Sequence, residues 1–335
     1  MRKTFTTTLI ELAERDSRVL LLTGDLGFMV LEPFIDRFPD RFINAGVAEQ
    51  NMIGLATGLA QAGFFPFCYS IVTFAALRPY EFIRNGPVLQ KLPVRVVSVG
   101  GGFEYGDAGP THHGVEDVAI MRAQPGLTTI APADAQQARA ALLAMWDAPT
   151  PLYFRLGKDD TYAVPGLDGA FTSGRANLVR AGRDVLFVTL GAIAREAVAA
   201  AATLSQQGID AGVLIVPTFN PDATDDIAAA LASVPLVLTV EAHYVNGGIG
   251  SLVSEIAVER GIHTRIIRCG ARSTHDGLSG SQTYYEQKHG ISADALVATA
   301  LQNLTPQPPL HAVGDMDAVT PPLHVVESGL GGEVQ

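Results

Sequence analysis

The chain has 335 residues, 47% of them apolar and only 17% charged, which is enough length for about two domains and ample core material. Its 34 acidic against 23 basic side chains leave a formal charge of −11, which argues against a general nucleic-acid or anionic-membrane binder. Two cysteines, Cys68 and Cys269, make neither a disulfide framework nor a CxxC metal site. The start, Met1-Arg2-Lys3-Thr4, runs straight into an amphipathic segment without a signal-peptide apolar region, and no run of about 18 apolar residues could span a bilayer. A cytoplasmic protein is the expectation.

In chain order, short β-branched runs alternate with alanine-rich stretches, the pattern of parallel βαβ units. A helical segment over 6–15 leads into a buried strand over 19–23. The stretch 47–62, rich in Ala, Leu and Met with Gly54 and Gly58, predicts a tightly packed helix. Strands follow over 94–99, 128–130 and 152–155, with a helix over 135–146 between the last two. Residues 159–180 are polar and Gly-rich, which places a linker at 166–178 between a first domain, 1–165, and a second, 179–304. There the strand pattern resumes over 185–189, 212–216, 234–240 and 264–267, with a helix over 192–207. The last segment, 305–335, has Pro-Pro pairs and no sustained periodicity, so a disordered tail is expected. The fold class is α/β, with two parallel-sheet domains of which the second is smaller.

Three groups of residues stand out. Glu49, in Asn44-Ala45-Gly46-Val47-Ala48-Glu49, opens an almost wholly apolar helix. A glutamate there is ordinarily a solvated acid that complements the helix dipole, but the apolar setting turns it toward a cleft, where burial favours its protonated form. Next come His112 and His113, in Gly109-Pro110-Thr111-His112-His113, ahead of Glu116 and Asp117. The spacing is not a zinc motif; it suits either a polar turn or an acid/base group for a hydroxylated substrate. Last are the arginines Arg78, Arg84 and Arg155. Arg155 closes a strand, where open α/β sheets bind ligands, and is open to two readings, a phosphate clamp or an ion pair. No GxGxxG or GxxxxGK[ST] motif is present, and Gly247-Gly248-Ile249-Gly250 is a weak anion-binding form at most.

The segments INAGVAEQNMIGLATGLA and AGPTHHGVEDVAIMRAQPGLTTIAPAD resemble the pyrimidine-binding domain of transketolases and their thiamine-diphosphate relatives. The segments VTLGAIAREAVAAAATLSQQGIDAGVLIVPTFNP and VLTVEAHYVNGGIGS resemble the transketolase C-terminal domain. Together they cover about residues 1–304. The resemblance implies a thiamine-diphosphate enzyme that lacks its diphosphate-binding domain, since Gly24-Asp25-Leu26 and Gly314-Asp315-Met316 are not the family's GDG. It therefore implies the C-terminal subunit of a split transketolase, inactive alone. A partner subunit would hold the diphosphate and its Mg²⁺ or Ca²⁺, in an α₂β₂ assembly, and this chain would hold no metal.

By the same resemblance, Glu49 is the glutamate that shares a proton with N1′ of the aminopyrimidine, and Phe74 packs on that ring with Tyr69 as a second candidate. His112 contacts substrate hydroxyls, and His113 stands where many relatives have Gln. Arg155, Arg2 and Thr23 match positions of an acceptor-phosphate site, and Arg78 a substrate-contacting arginine. Two positions depart from the pattern: Ala108 replaces an aspartate that contacts the donor, and Gly100 replaces a phosphate-holding histidine. The expected activity is transfer of a two-carbon ketol unit from a ketose, phosphorylated in the common pattern, to an aldose. The alternatives are a 1-deoxyxylulose-5-phosphate synthase-like enzyme, a decarboxylating 2-oxo acid enzyme subunit, and a non-catalytic homologue.

Overall fold

The computed structural model describes residues 1–273 and 277–304; the expected disordered tail, 305–335, lies outside the described residues. Two sheets sit within one compact unit, Met1–Leu304. The first sheet takes strands β1 (Val19–Thr23), β2 (Phe42–Asn44), β3 (Phe65–Ile71), β4 (Arg95–Val99), β5 (Thr128–Ile130) and β6 (Leu152–Leu156). The second takes β7 (Asn177–Arg180), β8 (Val185–Thr189), β9 (Ala211–Ile215), β11 (Leu236–Tyr244) and β12 (Arg265–Ala271). Strand β10 (Thr218–Phe219) crosses over: it leaves the second half of the chain and adds to the first sheet, antiparallel to β5.

The first sheet runs β10-β5-β6-β4-β3-β1-β2 and the second β12-β11-β8-β9-β7. All pairings are parallel except β10 with β5 and β7 with β9. Parallel strands need covered faces, so they read as continuous apolar runs rather than alternating ones. In β1, Val19 and Leu21 join Phe5, Leu9 and Leu12 of the helix Arg2–Arg15 on one side of the sheet. Leu20 and Leu22 join Met52, Ile53 and Ala56 of the helix Glu49–Gln61 on the other.

The strands and helices expected from sequence lie within about four residues of their observed bounds, while β2, β3, β7, β10 and several helices have no expected counterpart. Strand β3 carries Pro66, a residue that is locally unfavourable in a central strand. Pairing on both sides, Leu20 with Pro66 and Phe67 with Arg95, overrides that local signal. The Gly247-Gly248 turn does open a helix, Ile249–Glu259, but its amino terminus is filled from within. The buried Glu241 carboxylate accepts from the backbone N–H groups of Ile249 (3.0 Å) and Gly250 (3.1 Å). Among the described residues, no helix is long and apolar enough to cross a membrane.

Candidate active site

The carboxyl ends of β1, β2, β3 and β4 carry the loops that build the site, as the doubly wound arrangement dictates. Asn44, the last residue of β2, ties two of them together. Its Oδ1 accepts from the backbone N–H of Asp25 (3.1 Å) and of Gly46 (3.0 Å), and its Nδ2 donates to Asp25 Oδ1 (3.0 Å). This fixes the entry to the helix Glu49–Gln61 beside the end of β1. Glu49, its first residue, is only 1% exposed. A side chain at position 24 would come within 3.3 Å of Glu49 Oε1, so glycine leaves room for the carboxylate.

The two oxygens of Glu49 differ. Oε2 accepts from Arg78 Nη1 at 2.9 Å, whereas Oε1 is buried without a hydrogen-bond partner. Leaving a buried acceptor unpaired costs on the order of 1–3 kcal/mol, more for a charged group, so this oxygen is open to a partner such as a ligand or water. The Arg78 guanidinium lies 4.1 Å from the centroid of Phe74, on the short helix Val72–Ala76 that follows β3. Phe74 in turn meets the His112 ring edge-on at 5.1 Å. His112 sits in the turn Pro110–His112, with its Nδ1 2.9 Å from Thr111 Oγ1. Glu49, Arg78, Phe74 and His112 thus form one cluster from three separate segments. A buried carboxyl oxygen beside an aromatic ring suits a flat nitrogen heterocycle.

Arg2 and Tyr69 lie in a second cleft of about 180 Å³, which also includes Gly27, Phe28 and Tyr105 in its lining. Tyr69 is buried and stacks on Phe5 at 5.4 Å. Sequence reasoning did not single out Tyr105; a tyrosine in a Gly-rich loop carries no local signal.

Three expected site residues are engaged by partners within the chain. The Thr23 hydroxyl donates to Leu26 O (2.9 Å) and serves the turn after β1. His113 is 3% exposed and packs against Tyr285 (4.6 Å) and Phe103 (5.4 Å), whereas His112 meets Phe74. Arg155 takes the ion-pair alternative. Its Nε donates to Asp117 Oδ2 at 2.8 Å and its Nη2 to the carbonyls of Gly114 and Ala242, both at 3.0 Å. Tyr153 also donates to Asp117 Oδ2, at 2.7 Å. Asp117 was legible only as one of two acids opening a helix; its pairing across the sheet was not. Among the described residues, no three His, Cys, Asp or Glu side chains group in a metal-holding arrangement.

Residues 1–163 match the family described as transketolase, pyrimidine-binding domain, and residues 174–296 the family described as transketolase, C-terminal domain. An apulose-4-phosphate transketolase subunit of Phocaeicola vulgatus is 31% identical over 306 residues, 90% of this chain and 96% of that one. A 1-deoxy-D-xylulose-5-phosphate synthase of Methylacidiphilum infernorum is 33% identical over 310 residues, 90% of this chain but only 49% of the synthase. A solved structure described as a split gene transketolase, inactive beta4 tetramer, superposes with a TM-score of 0.81 at 32% identity, covering 91% of this chain and 98% of that one. The chain therefore belongs to the transketolase family, as a subunit that carries the pyrimidine-binding and C-terminal domains of a split enzyme.

Proposed function

We propose that this chain is the pyrimidine-domain subunit of a two-chain, thiamine-diphosphate-dependent transketolase that moves a two-carbon ketol unit from a ketose to an aldose. A partner chain supplies the diphosphate-binding half with its Mg²⁺ or Ca²⁺. The observation that carries this reading is the buried, unpartnered Oε1 of Glu49, in a cluster that Arg78 links to Phe74. That oxygen fits N1′ of an aminopyrimidine and can hold the proton shared with it, while Arg78 restrains the other oxygen. Phe74 packs against the ring, and His112, at the open edge of Phe74, faces the substrate hydroxyls. When bound, thiamine diphosphate supplies the carbon nucleophile and the electron sink for cleavage beside the ketose carbonyl.

Support for a covering partner comes from the surface around Glu49. Val47, two residues before Glu49, is 71% exposed, and Leu55 on the helix Glu49–Gln61 is also exposed, as is Phe82, which shares a cleft with Gly54 and Thr57 of that helix. Apolar residues grouped beside a site mark an interaction surface. The test is reconstitution. With its partner chain, Mg²⁺ and thiamine diphosphate, the protein should transfer a ketol unit between a ketose and an aldose, without releasing CO₂ from pyruvate. The match to half of a synthase gives the decarboxylating alternative a definite outcome: CO₂ release without ketol transfer would replace the transketolase reading with it.

A further inference from the structure

We propose that a basic cleft beside β12, in the second domain, is an effector site for a small molecule with two phosphate groups, and that its occupancy is felt at the turn carrying His112. Strand β12 is the edge of the second sheet. The cleft beside it has a volume of about 380 Å³, within the range of small-molecule sites. Arg268, Arg272, Ser273, Lys288, His289 and Thr299 are in its lining, which contains no carboxylate among the described residues. In a chain of charge −11, that is a local reversal of sign. Arginines elsewhere are matched by acids: Arg122 by Glu255, Arg175 by Asp226 and Arg195 by Glu286. Arg268 and Arg272 instead donate to backbone carbonyls, Arg268 Nη1 to Val245 (3.2 Å) and Arg272 Nη2 to Arg268 (2.7 Å). Those bonds leave their charge, and most of their five N–H donors each, for a ligand.

A guanidinium fork matches phosphate oxygens, and an ammonium adds a point charge. Each phosphate monoester carries about 1.5–2 negative charges at neutral pH, so two are needed to balance Arg268, Arg272 and Lys288. A diphosphate and a sugar bisphosphate both supply that chemistry. The cleft also connects to the first domain through stacked rings. His289 lies flat on Phe103, with 4.9 Å between centroids and 9° between planes. Phe103 meets His113 edge-on at 5.4 Å, and His113 follows His112, whose ring meets Phe74. Gly102 and Gly114, beside these two rings, exchange backbone N–H···O bonds of 2.6 and 2.9 Å. Close-packed interiors yield little, so an anion that draws on His289 shifts Phe103 and, with it, the His112–His113 turn. The site stands whichever reaction the chain serves.

The full chain is titrated by calorimetry with inorganic pyrophosphate and with fructose 1,6-bisphosphate in about 0.15 M salt, where surface charges are largely screened. At least one should bind with a Kd of about 100 µM or tighter, and the preferred one identifies the source. Arg272→Gln and Lys288→Gln, both at exposed positions, should each weaken that binding about tenfold. No binding, or binding that either variant leaves unchanged, overturns the site. The second readout is NMR of the labelled histidine rings. The signals of His112 and His113 should shift with occupancy by the preferred anion; a site that fills while both stay fixed overturns the effector role. In Phe103→Leu the anion should still bind and the His112 shift should be lost, whereas a shift that persists overturns the path through Phe103.

Discussion

Glu49 keeps the helix-opening position that an ordinary surface acid would take, but it is sealed from water and holds one oxygen in reserve. Glu49→Gln is nearly isosteric and should preserve fold and assembly while removing the carboxyl proton. Turnover of the reconstituted enzyme should fall by roughly 10²–10⁴, the usual contribution of acid–base catalysis. Exchange of the cofactor's C2 proton, read by NMR after acid quench, should slow in parallel; exchange at the wild-type rate would make Glu49 a structural acid. Arg78, expected to contact substrate, meets Glu49 Oε2 and one face of Phe74, and we propose that it positions the carboxylate. Arg78→Met should lower kcat about tenfold or more with a smaller change in KM, because a charge-assisted bond that orients the carboxylate is lost. Steady-state kinetics showing a KM effect alone would instead return Arg78 to substrate contact. Glu49 and His112 were picked out in sequence by local motifs, and the structure brings them into one cluster with Phe74 and Arg78. The partners of Thr23, His113 and Arg155 were not legible there, because a hydroxyl, an imidazole or a guanidinium can serve a turn or a core as readily as a ligand.

Two buried acids govern how the elements lock together. Asp117 opens the helix Asp117–Arg122, and Arg155 near the end of β6 reaches it and also the Ala242 carbonyl on β11, so the pair ties the two sheets. Arg155→Ala would leave the buried Asp117 charge without its counter-ion, held by the Tyr153 hydroxyl alone, at a cost of about 3–5 kcal/mol. Urea denaturation should show that loss, whereas a fully stable variant with only a raised acceptor KM would restore the phosphate clamp. Glu241 caps the helix Ile249–Glu259 from β11. Burial raises its carboxyl from 4.5 to about 7, against the lowering effect of the two backbone N–H groups. The folded state thus holds a proton that the unfolded chain has released, so Glu241's contribution is complete below about pH 4.5 and is lost as the pH rises toward 7. Glu241→Gln should flatten that part of the stability–pH curve by up to about 3 kcal/mol between pH 5 and 8. Thermal unfolding across that range reads it; an unchanged slope assigns the dependence to other groups.

For the whole molecule, the division into two sequence domains is only partly kept, since β10 returns to the first sheet. Asn220, just after it, donates through Nδ2 to the carbonyls of Arg122 (2.9 Å) and Gln124 (3.2 Å). The exposed apolar surface beside Glu49 fits a subunit that functions in an assembly. The isolated chain should show no tight, Mg²⁺-dependent thiamine diphosphate binding by calorimetry, and affinity should appear once the partner is added. Micromolar binding by this chain alone would refute the split-site reading. Sedimentation of the reconstituted enzyme should give an α₂β₂ mass, with two copies of this chain meeting across a large apolar interface.

By itself the sequence determined the α/β class, most strands and several of the longer helices, because these rest on apolar periodicity, and it marked Glu49 and His112 as candidates through motifs a few residues long. Only the tertiary structure decided what each polar side chain faces. It turned His113 into an aromatic core, tied Arg155 to Asp117, and drew Arg78 onto Glu49. The physical reason is separation along the chain. Arg155 lies 38 residues from Asp117, and Arg78 lies 29 from Glu49. The charge, size and hydrogen-bonding capacity that pair such residues act through space, and no local pattern records them.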